Sequence, residues 1–238
     1  MNAESYLQKT LEENYLLDRE LSPGKTLWIH KTKDAPLICQ SLPKGSDVSA
    51  FRRLIGVETK KAVRIYDVVE GENGITVLTE YVRGKTLSEM MKEEKPKRKE
   101  IRRIALDLAE ALAELHALGV VHKDVKPENI VVDPLFRARL IDLGIATVFE
   151  GKRPEKTAAL GTVGFAAPEQ FGFNRTDPRT DIYAFGVVLN LMLTGKHPTA
   201  LFYRRGKYGR ILKKCLAVSP EDRYRNGSAL YAALRRFW

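Results

Sequence analysis

The sequence predicts an α+β chain in two parts, a strand-rich N-terminal lobe followed by a helical C-terminal lobe. Three observations carry that expectation. Between Tyr15 and Tyr81 the apolar stretches are short and bounded by turn formers, as in RIYDVV and GITVLTEY with GENG between them. After Gly84 the period changes: Ile101, Ile104, Ala105, Leu108, Ala111, Leu112 and Leu115 recur at three and four residues, the stripe of an amphipathic helix ending near Gly119. Later, DIYAFGVVLNLMLTG, Asp181 to Gly195, is apolar almost all round, which suits a helix buried inside the second lobe.

The remaining elements rest on local signals. Residues 1–14 are polar and form an N-terminal extension to a domain covering 15–238, with the N-lobe at about 15–79, a connecting hinge at 80–84 and the C-lobe from 85 onward. One helix interrupts the N-terminal strands, where Ser46 and Asp47 offer N-caps to VSAFRRLI and Gly56 stops it. A chain of 238 residues with 44% hydrophobic content can bury a full core, either as one compact domain or as two lobes sharing a cleft. Its two cysteines, Cys39 and Cys215, have neither CxxC nor Cys/His spacing, which argues against a disulfide framework and a zinc site. The start, MNAESYLQKTLEENY, lacks an apolar signal core, and no apolar run approaches the ~18 residues of a membrane span, so a cytoplasmic protein is expected.

The formal net charge of +10 is unevenly placed. From Gly195 to the end there are eleven Lys and Arg against Glu221 and Asp222, which makes this stretch either a solvated basic face or a candidate docking face for an acidic partner. No groove-reading motif accompanies it, so nucleic acid is not the expected partner. A second basic cluster, KPKRKEIRR from Lys95 to Arg103, reads as the solvated entrance of the amphipathic helix.

The chemistry is concentrated in VVHKDVKPENIVV, Val120 to Val132, which sets His122, Asp124, Lys126 and Asn129 between that helix and an apolar strand. A carboxylate, an ammonium and an amide within six residues can together handle a hydroxyl nucleophile, a phosphate and a metal ion. The run resembles the catalytic loop of eukaryotic-type protein kinases, and other stretches fall into that family's order. IDLG at Ile141 to Gly144 resembles the DFG magnesium motif, and GTVGFAAPEQ at Gly161 to Gln170 contains APE. DIYAFG resembles the start of the buried kinase helix, and SPEDRY supplies Arg223 as partner for Glu169.

The resemblance implies a bilobal kinase-like fold and roles for individual residues. Asp124 would take or orient the proton of the attacking hydroxyl, and Lys126 would neutralise the transferring phosphate. Asn129 and Asp142 would hold Mg²⁺ against the phosphates of ATP. His122 and Asp181 would brace the catalytic loop, and Glu169 would pair with Arg223. KPEN, with Gly161 and Thr162 ahead of APE, resembles the serine/threonine class. Lys123 stands where an arginine is common, so an activation-loop phosphate would meet no bidentate fork; Thr157 is the phosphosite expected among Thr147, Thr157 and Thr162. Only 41 residues separate Asp181 from Arg223, which leaves little room for the docking helix that kinases insert there. An acidic protein substrate docking on Arg204, Arg205, Lys207 and Arg210 is the matching expectation.

The N-lobe departs from the family. With Thr79 at the gatekeeper-like position and Glu80 to Val82 as the adenine-binding hinge, ELSPGKTLWI falls on the glycine-rich loop. Ser22, Gly24 and Leu27 then take the glycine positions and Ile29 the valine position. LICQ matches the VAIK strand, so Gln40 replaces the lysine that holds the α- and β-phosphates and Ile38 replaces the small residue over adenine. Val131 completes the nucleotide-binding set. The acidic partner of that lysine is missing too, and losing both halves of a buried ion pair is less costly than losing one. Lys25, next to the retained Gly24, is a candidate substitute cation. Three readings are open: an ATP- and Mg²⁺-dependent protein serine/threonine kinase, a pseudokinase acting as a nucleotide-binding or interaction module, and a small-molecule phosphotransferase. The last usually lacks the APE segment with its arginine partner.

Overall fold

In a computed structural model, residues 3–151, 161–172 and 176–236 are described. They divide into two compact units, one made of residues up to Glu58 together with Val63–Val82, the other of Thr59–Ala62 together with the chain from Arg83.

The first unit opens with helix α1 (Ala3–Asn14), followed by strands β1 (Tyr15–Ser22), β2 (Lys25–His30) and β3 (Leu37–Pro43), helix α2 (Ser49–Leu54), and strands β4 (Ile65–Glu70) and β5 (Gly74–Glu80). The strands form one antiparallel sheet in the order β1-β2-β3-β5-β4. Residues 3–14, within the stretch expected as an extension, form a helix that belongs to this unit. Its Leu11 is buried in a cluster with Leu37, Cys39 and Leu78, and Leu7, Tyr15 and Trp28 pack around it. Lys31 Nζ donates to the carbonyls of Glu12 and Glu13 at 2.7 and 2.9 Å, satisfying acceptors that the helix end leaves open.

Helix α2 is shorter than VSAFRRLI suggested. Its N-cap is Val48, which makes no side-chain cap bond. Asp47 accepts the Ser49 N–H at 2.9 Å, while the Ser46 hydroxyl turns back to the Pro43 carbonyl. Both residues therefore shape the turn before the helix rather than cap it.

The second unit contains β6 (Lys85–Thr86), α3 (Leu87–Glu93), α4 (Arg98–Ala117), β7 (Val120–Val121), β8 (Ile130–Val132), β9 (Ala138–Leu140), β10 (Thr147–Val148), α5 (Glu169–Gly172), α6 (Pro178–Thr194), α7 (Gly206–Cys215) and α8 (Gly227–Arg236). All seven stripe residues of α4 are buried, as its periodicity required. In α6, Asp177 caps the start with Pro178 in the first turn, and Gly195 ends the helix at φ 74°. Helix α8 lies close on α4, since a Cβ at Gly227 would meet the Ala113 nitrogen at 2.3 Å.

The stretch HPTALFYRRGKYGRILKKCL forms one helix, the ten-residue α7. Tyr208, Ile211, Leu212 and Cys215 recur at three and four residues and are all buried on one face of α7. That helix reaches α6 where Gly186 stands, because a Cβ there would meet the Cys215 Cβ at 2.8 Å.

Residues 59–62 join the second unit through polar bonds. The Glu114 carboxylate on α4 accepts the N–H groups of Lys60 and Lys61 at 3.0 and 2.9 Å. Lys61 also pairs with the largely buried Asp107 at 2.6 Å.

Candidate active site

Helix α4 ends at Ala117, the chain turns at Gly119 with φ 70°, and the short buried strand β7 delivers His122. Asp181, fully buried on α6, fixes the backbone at this point. Its carboxylate accepts the backbone N–H groups of His122 at 2.8 Å and Lys123 at 2.7 Å, and the His116 Nε2–H at 2.9 Å. Burial would raise this carboxyl, but the hydrogen bond and charge of His116, with His122, outweigh it and hold Asp181 below its ordinary value. Lys123 is thereby kept at φ 67°, a left-handed conformation uncommon for a side-chain-bearing residue, and its carbonyl accepts the Gln170 amide at 3.1 Å.

That bend presents Asp124. Its Oδ1 accepts the Thr162 hydroxyl at 2.6 Å, and its Oδ2 accepts Lys126 Nζ at 2.7 Å and Asn129 Nδ2 at 2.9 Å. Lys126 Nζ also donates to the Thr162 hydroxyl oxygen at 2.8 Å. Asp124, Lys126, Asn129 and Thr162 thus form one closed network in which a carboxylate and an ammonium stand side by side. Such an array can orient a hydroxyl, accept its proton and neutralise an adjacent phosphate.

The predicted metal ligands meet through the backbone: Ile141 N–H donates to the Asn129 carbonyl at 2.8 Å, placing Asp142 next in line. Asp142 adopts φ 67° and its Oδ1 accepts the Gly144 N–H at 3.1 Å, while Leu143 is buried. The Asn129 amide nitrogen is committed to Asp124, donating to its carbonyl and its carboxylate, so the Asn129 Oδ1 is the atom left to act as a ligand. An amide oxygen and a carboxylate suit Mg²⁺, which takes few protein ligands and completes its shell with water and phosphate. Among the described residues no group of three or more His, Cys, Asp and Glu could hold a metal alone. His122 donates through Nε2 to the Ile141 carbonyl at 3.0 Å and accepts the Asp124 N–H at Nδ1, tying the two halves of the site together.

Glu169 and Arg223 form a bidentate pair at 2.7 and 2.9 Å. The remaining Arg223 donors reach the carbonyls of Ala217, Val218 and Arg179, so every guanidinium N–H of this buried side chain is satisfied. Thr157 lies outside the described residues.

In the first unit, the register assembles most of the expected nucleotide-binding residues on one face. Directly opposite residues of an antiparallel pair share a face. Ile38 is opposite Leu27 and Thr79, and Gln40 is opposite Lys25 and Val77. Ile29 pairs with Leu16 two residues further along β2, and Leu27, 2% exposed, is the β2 residue in the Ile38 row. The reason is the β1–β2 connection, a two-residue turn at Pro23–Gly24 with Gly24 at φ 75°, which is tighter than a three-glycine loop. Gly24 is held to β3 by Ser41 N–H donating to its carbonyl at 2.7 Å. At the other end of the sheet, Glu80 closes β5 opposite Leu37, and the first unit ends at Val82. Val131 sits in the second unit on β8, buried, opposite Thr86 and Arg139.

Fold and site together define a phosphotransferase-type domain, and the chain belongs to the protein kinase domain family, whose model matches residues 49–230. It is similar to a probable serine/threonine-protein kinase of Clostridium acetobutylicum, 29% identical over 92% of this chain and 39% of that protein. It is also similar to serine/threonine-protein kinase PrkC of Bacillus subtilis, 32% identical over 79% of this chain and 28% of that protein. PkaB of Streptomyces coelicolor, another serine/threonine-protein kinase, is 31% identical over 88% of this chain and 59% of its own length. The chain therefore spans less than two thirds of each of these relatives. No described helix is long and apolar enough to cross a membrane.

Thr162 and His116 are the residues of these hydrogen-bond networks that sequence reasoning misses. In the sequence Thr162 is only one threonine of the activation segment, and its partners lie 36 and 38 residues away. His116 gives a usable signal, a histidine in the last turn of an amphipathic helix.

Proposed function

We propose that this chain transfers the γ-phosphoryl group of ATP, with Mg²⁺, to serine or threonine hydroxyls of protein substrates. The observation that carries the proposal is the network of Asp124, Lys126, Asn129 and Thr162. Asp124 orients the substrate hydroxyl and takes its proton as the new oxygen–phosphorus bond forms and the bond to the β,γ-bridging oxygen breaks. Lys126, held beside Asp124, faces the charge on the transferring group. Asn129 Oδ1 and the Asp142 carboxylate are the ligands for Mg²⁺, which when bound neutralises charge on the phosphate oxygens. On the first unit, Leu27, Ile38 and Thr79 line the adenine side with the Glu80–Val82 hinge, and Lys25 supplies the cation that Gln40 does not. Substrates of acidic character suit the basic C-terminal stretch. A cytoplasmic setting suits Cys39 and Cys215, both buried and free.

A second reading, a pseudokinase module, is favoured by Gln40 on β3 and by α2, whose SAFRRL carries no acidic residue to pair with a lysine. Incubation with radiolabelled ATP and Mg²⁺, using wild type, Asp124→Asn and Asp142→Asn, separates the two. Phosphorylation of the chain or of a generic protein substrate, abolished by either substitution, is expected. Absence of label while ATP still raises the melting temperature would leave the module reading in its place.

A further inference from the structure

Two basic stretches distant in sequence are one surface in the folded second unit. Arg98, in the first turn of α4, donates to the Tyr203 hydroxyl at 2.9 Å and lies over its ring at 5.8 Å. Lys95 Nζ reaches the Leu193 carbonyl at 2.6 Å. Arg98 and Arg102 are both near enough to Tyr208 on α7 to act on its hydroxyl electrostatically. Arg98, Arg102, Arg204, Arg205 and Lys207 are all exposed. No Asp or Glu occurs between Gly195 and Pro220, and Glu100, the one acidic residue of Lys95–Arg103, has its carboxylate turned to the Lys97 N–H at 2.6 Å. The surface therefore gathers the cations of two segments that carry a single carboxylate between them.

This surface is also tied to the catalytic loop. Thr162 binds Asp124 and Lys126, and two residues on, the Gly164 carbonyl accepts the His197 Nε2–H at 2.7 Å. His197 Nδ1 in turn accepts the Thr199 N–H at 3.3 Å. Buried Asn190 of α6 donates to the Leu201 carbonyl at 2.8 Å and accepts the Tyr203 N–H at 2.9 Å. A pinned segment thus runs from beside Asp124 to Tyr203 and Arg98, with Val163, 85% exposed, at its catalytic end.

We infer that the surface formed by the starts of α4 and α7 docks acidic residues flanking the phosphorylated hydroxyl of a polypeptide substrate. This rests on the kinase reading above. A polypeptide is favoured over a nucleic acid or an anionic membrane because the surface continues the segment that holds the catalytic aspartate. What binds there is therefore joined to what carries the hydroxyl. Arginine forks suit carboxylates, and exposed Val163 and Leu201 offer apolar contact to side chains between the anchors.

The test uses fluorescein-labelled serine peptides flanked by Glu, Ala or Lys, read by anisotropy and by phosphorylation. The proteins are wild type, Arg98→Glu/Arg102→Glu, Arg204→Glu/Arg205→Glu, and Arg235→Glu/Arg236→Glu on α8 as the charge control. Wild type is expected to favour the Glu peptide over the Ala peptide by about tenfold, the preference falling with salt. Each of the first two variants should lose that preference and shift toward the Lys peptide, while the α8 variant keeps it. Equal binding of Glu and Ala peptides by wild type, or equal loss in the α8 variant, overturns the inference. Displacement of the Glu peptide by single-stranded RNA or phosphatidylserine vesicles at lower concentration than by unlabelled Glu peptide also overturns it. Selective binding of the Glu peptide with no phosphorylation of any peptide would sink the kinase reading and leave the docking surface standing.

Discussion

Lys25 stands directly opposite Gln40 in the antiparallel register of β2 and β3, on the same face as Ile38, Val77 and Thr79. Cβ atoms of such a pair lie about 5 Å apart, so a flexible lysine on β2 can bring its ammonium to the space that a lysine at position 40 would serve. On the proposed function, the cation would have moved one strand sideways rather than disappeared. Lys25→Met should lower kcat/KM for ATP by roughly 10²- to 10³-fold, the loss expected for one electrostatic donor. Adding Gln40→Lys to that variant should restore much of the activity. Full activity of Lys25→Met, or no rescue by the second change, would rule out the relocation.

Thr162 gives a second expectation. Its hydroxyl donates to Asp124 and accepts from Lys126, so it holds a carboxylate and an ammonium side by side. Thr162→Val keeps the shape and removes both bonds. A hydrogen bond to a charged group is worth about 1.5–3 kcal/mol, so kcat should fall roughly 10- to 100-fold with KM for ATP nearly unchanged. Thr162→Ser should retain most of the rate. A Val variant as fast as wild type would mean that the network does not position the catalytic pair.

Helix α4 and the catalytic segment are legible in the sequence because their information is local. A stripe at three and four residues names its buried side chains, and HKDVKPEN places four reactive groups within one loop. The β1–β2 register is not legible, because it depends on a turn of two residues where a glycine template supplies more, and Leu27 rather than Ile29 comes to stand opposite Ile38. Helix α7 is easily missed although Tyr208, Ile211, Leu212 and Cys215 carry a helical period, since Gly206 and Gly209 interrupt its first turn. The joining of Lys95–Arg103 to the α7 region rests on Arg98 and Tyr203, which are 105 residues apart, and no local pattern encodes it.

Asp181 should make stability depend on acid pH. The group lies below 3.8 in the folded chain, despite burial, because His116 and the His122 and Lys123 N–H groups favour its charged form. A depressed folded value contributes stability that is fully present above the unfolded value and is lost as pH falls through the folded one. Asp181→Asn should cost about 3 kcal/mol near neutral pH, since it leaves N–H donors facing a poorer acceptor. In urea melts, the gap between wild type and variant should hold steady from pH 7 to about pH 5 and close below 3.8. A gap that stayed constant down to pH 3 would show that the charge of Asp181 contributes nothing.

The cover that α1 places over the first-unit sheet can be read from the Cys39 thiol. Burial pushes it up to about 12, and Cys215 is also pushed up by burial, so neither thiolate is available at neutral pH. The folded chain at pH 8 should react with a thiol-specific chromogenic disulfide only as it unfolds. Leu7 and Leu11 lie in the cluster that surrounds Cys39. Replacing both with serine removes apolar contacts worth on the order of 2 kcal/mol each, so α1 should detach locally before the sheet melts. One thiol should then react rapidly under native conditions, and peptide mapping should place the label on Cys39, with Cys215 reacting only in denaturant. A slow, equal reaction of both cysteines in the Leu7→Ser/Leu11→Ser variant would mean that the helix and sheet open only with the whole fold.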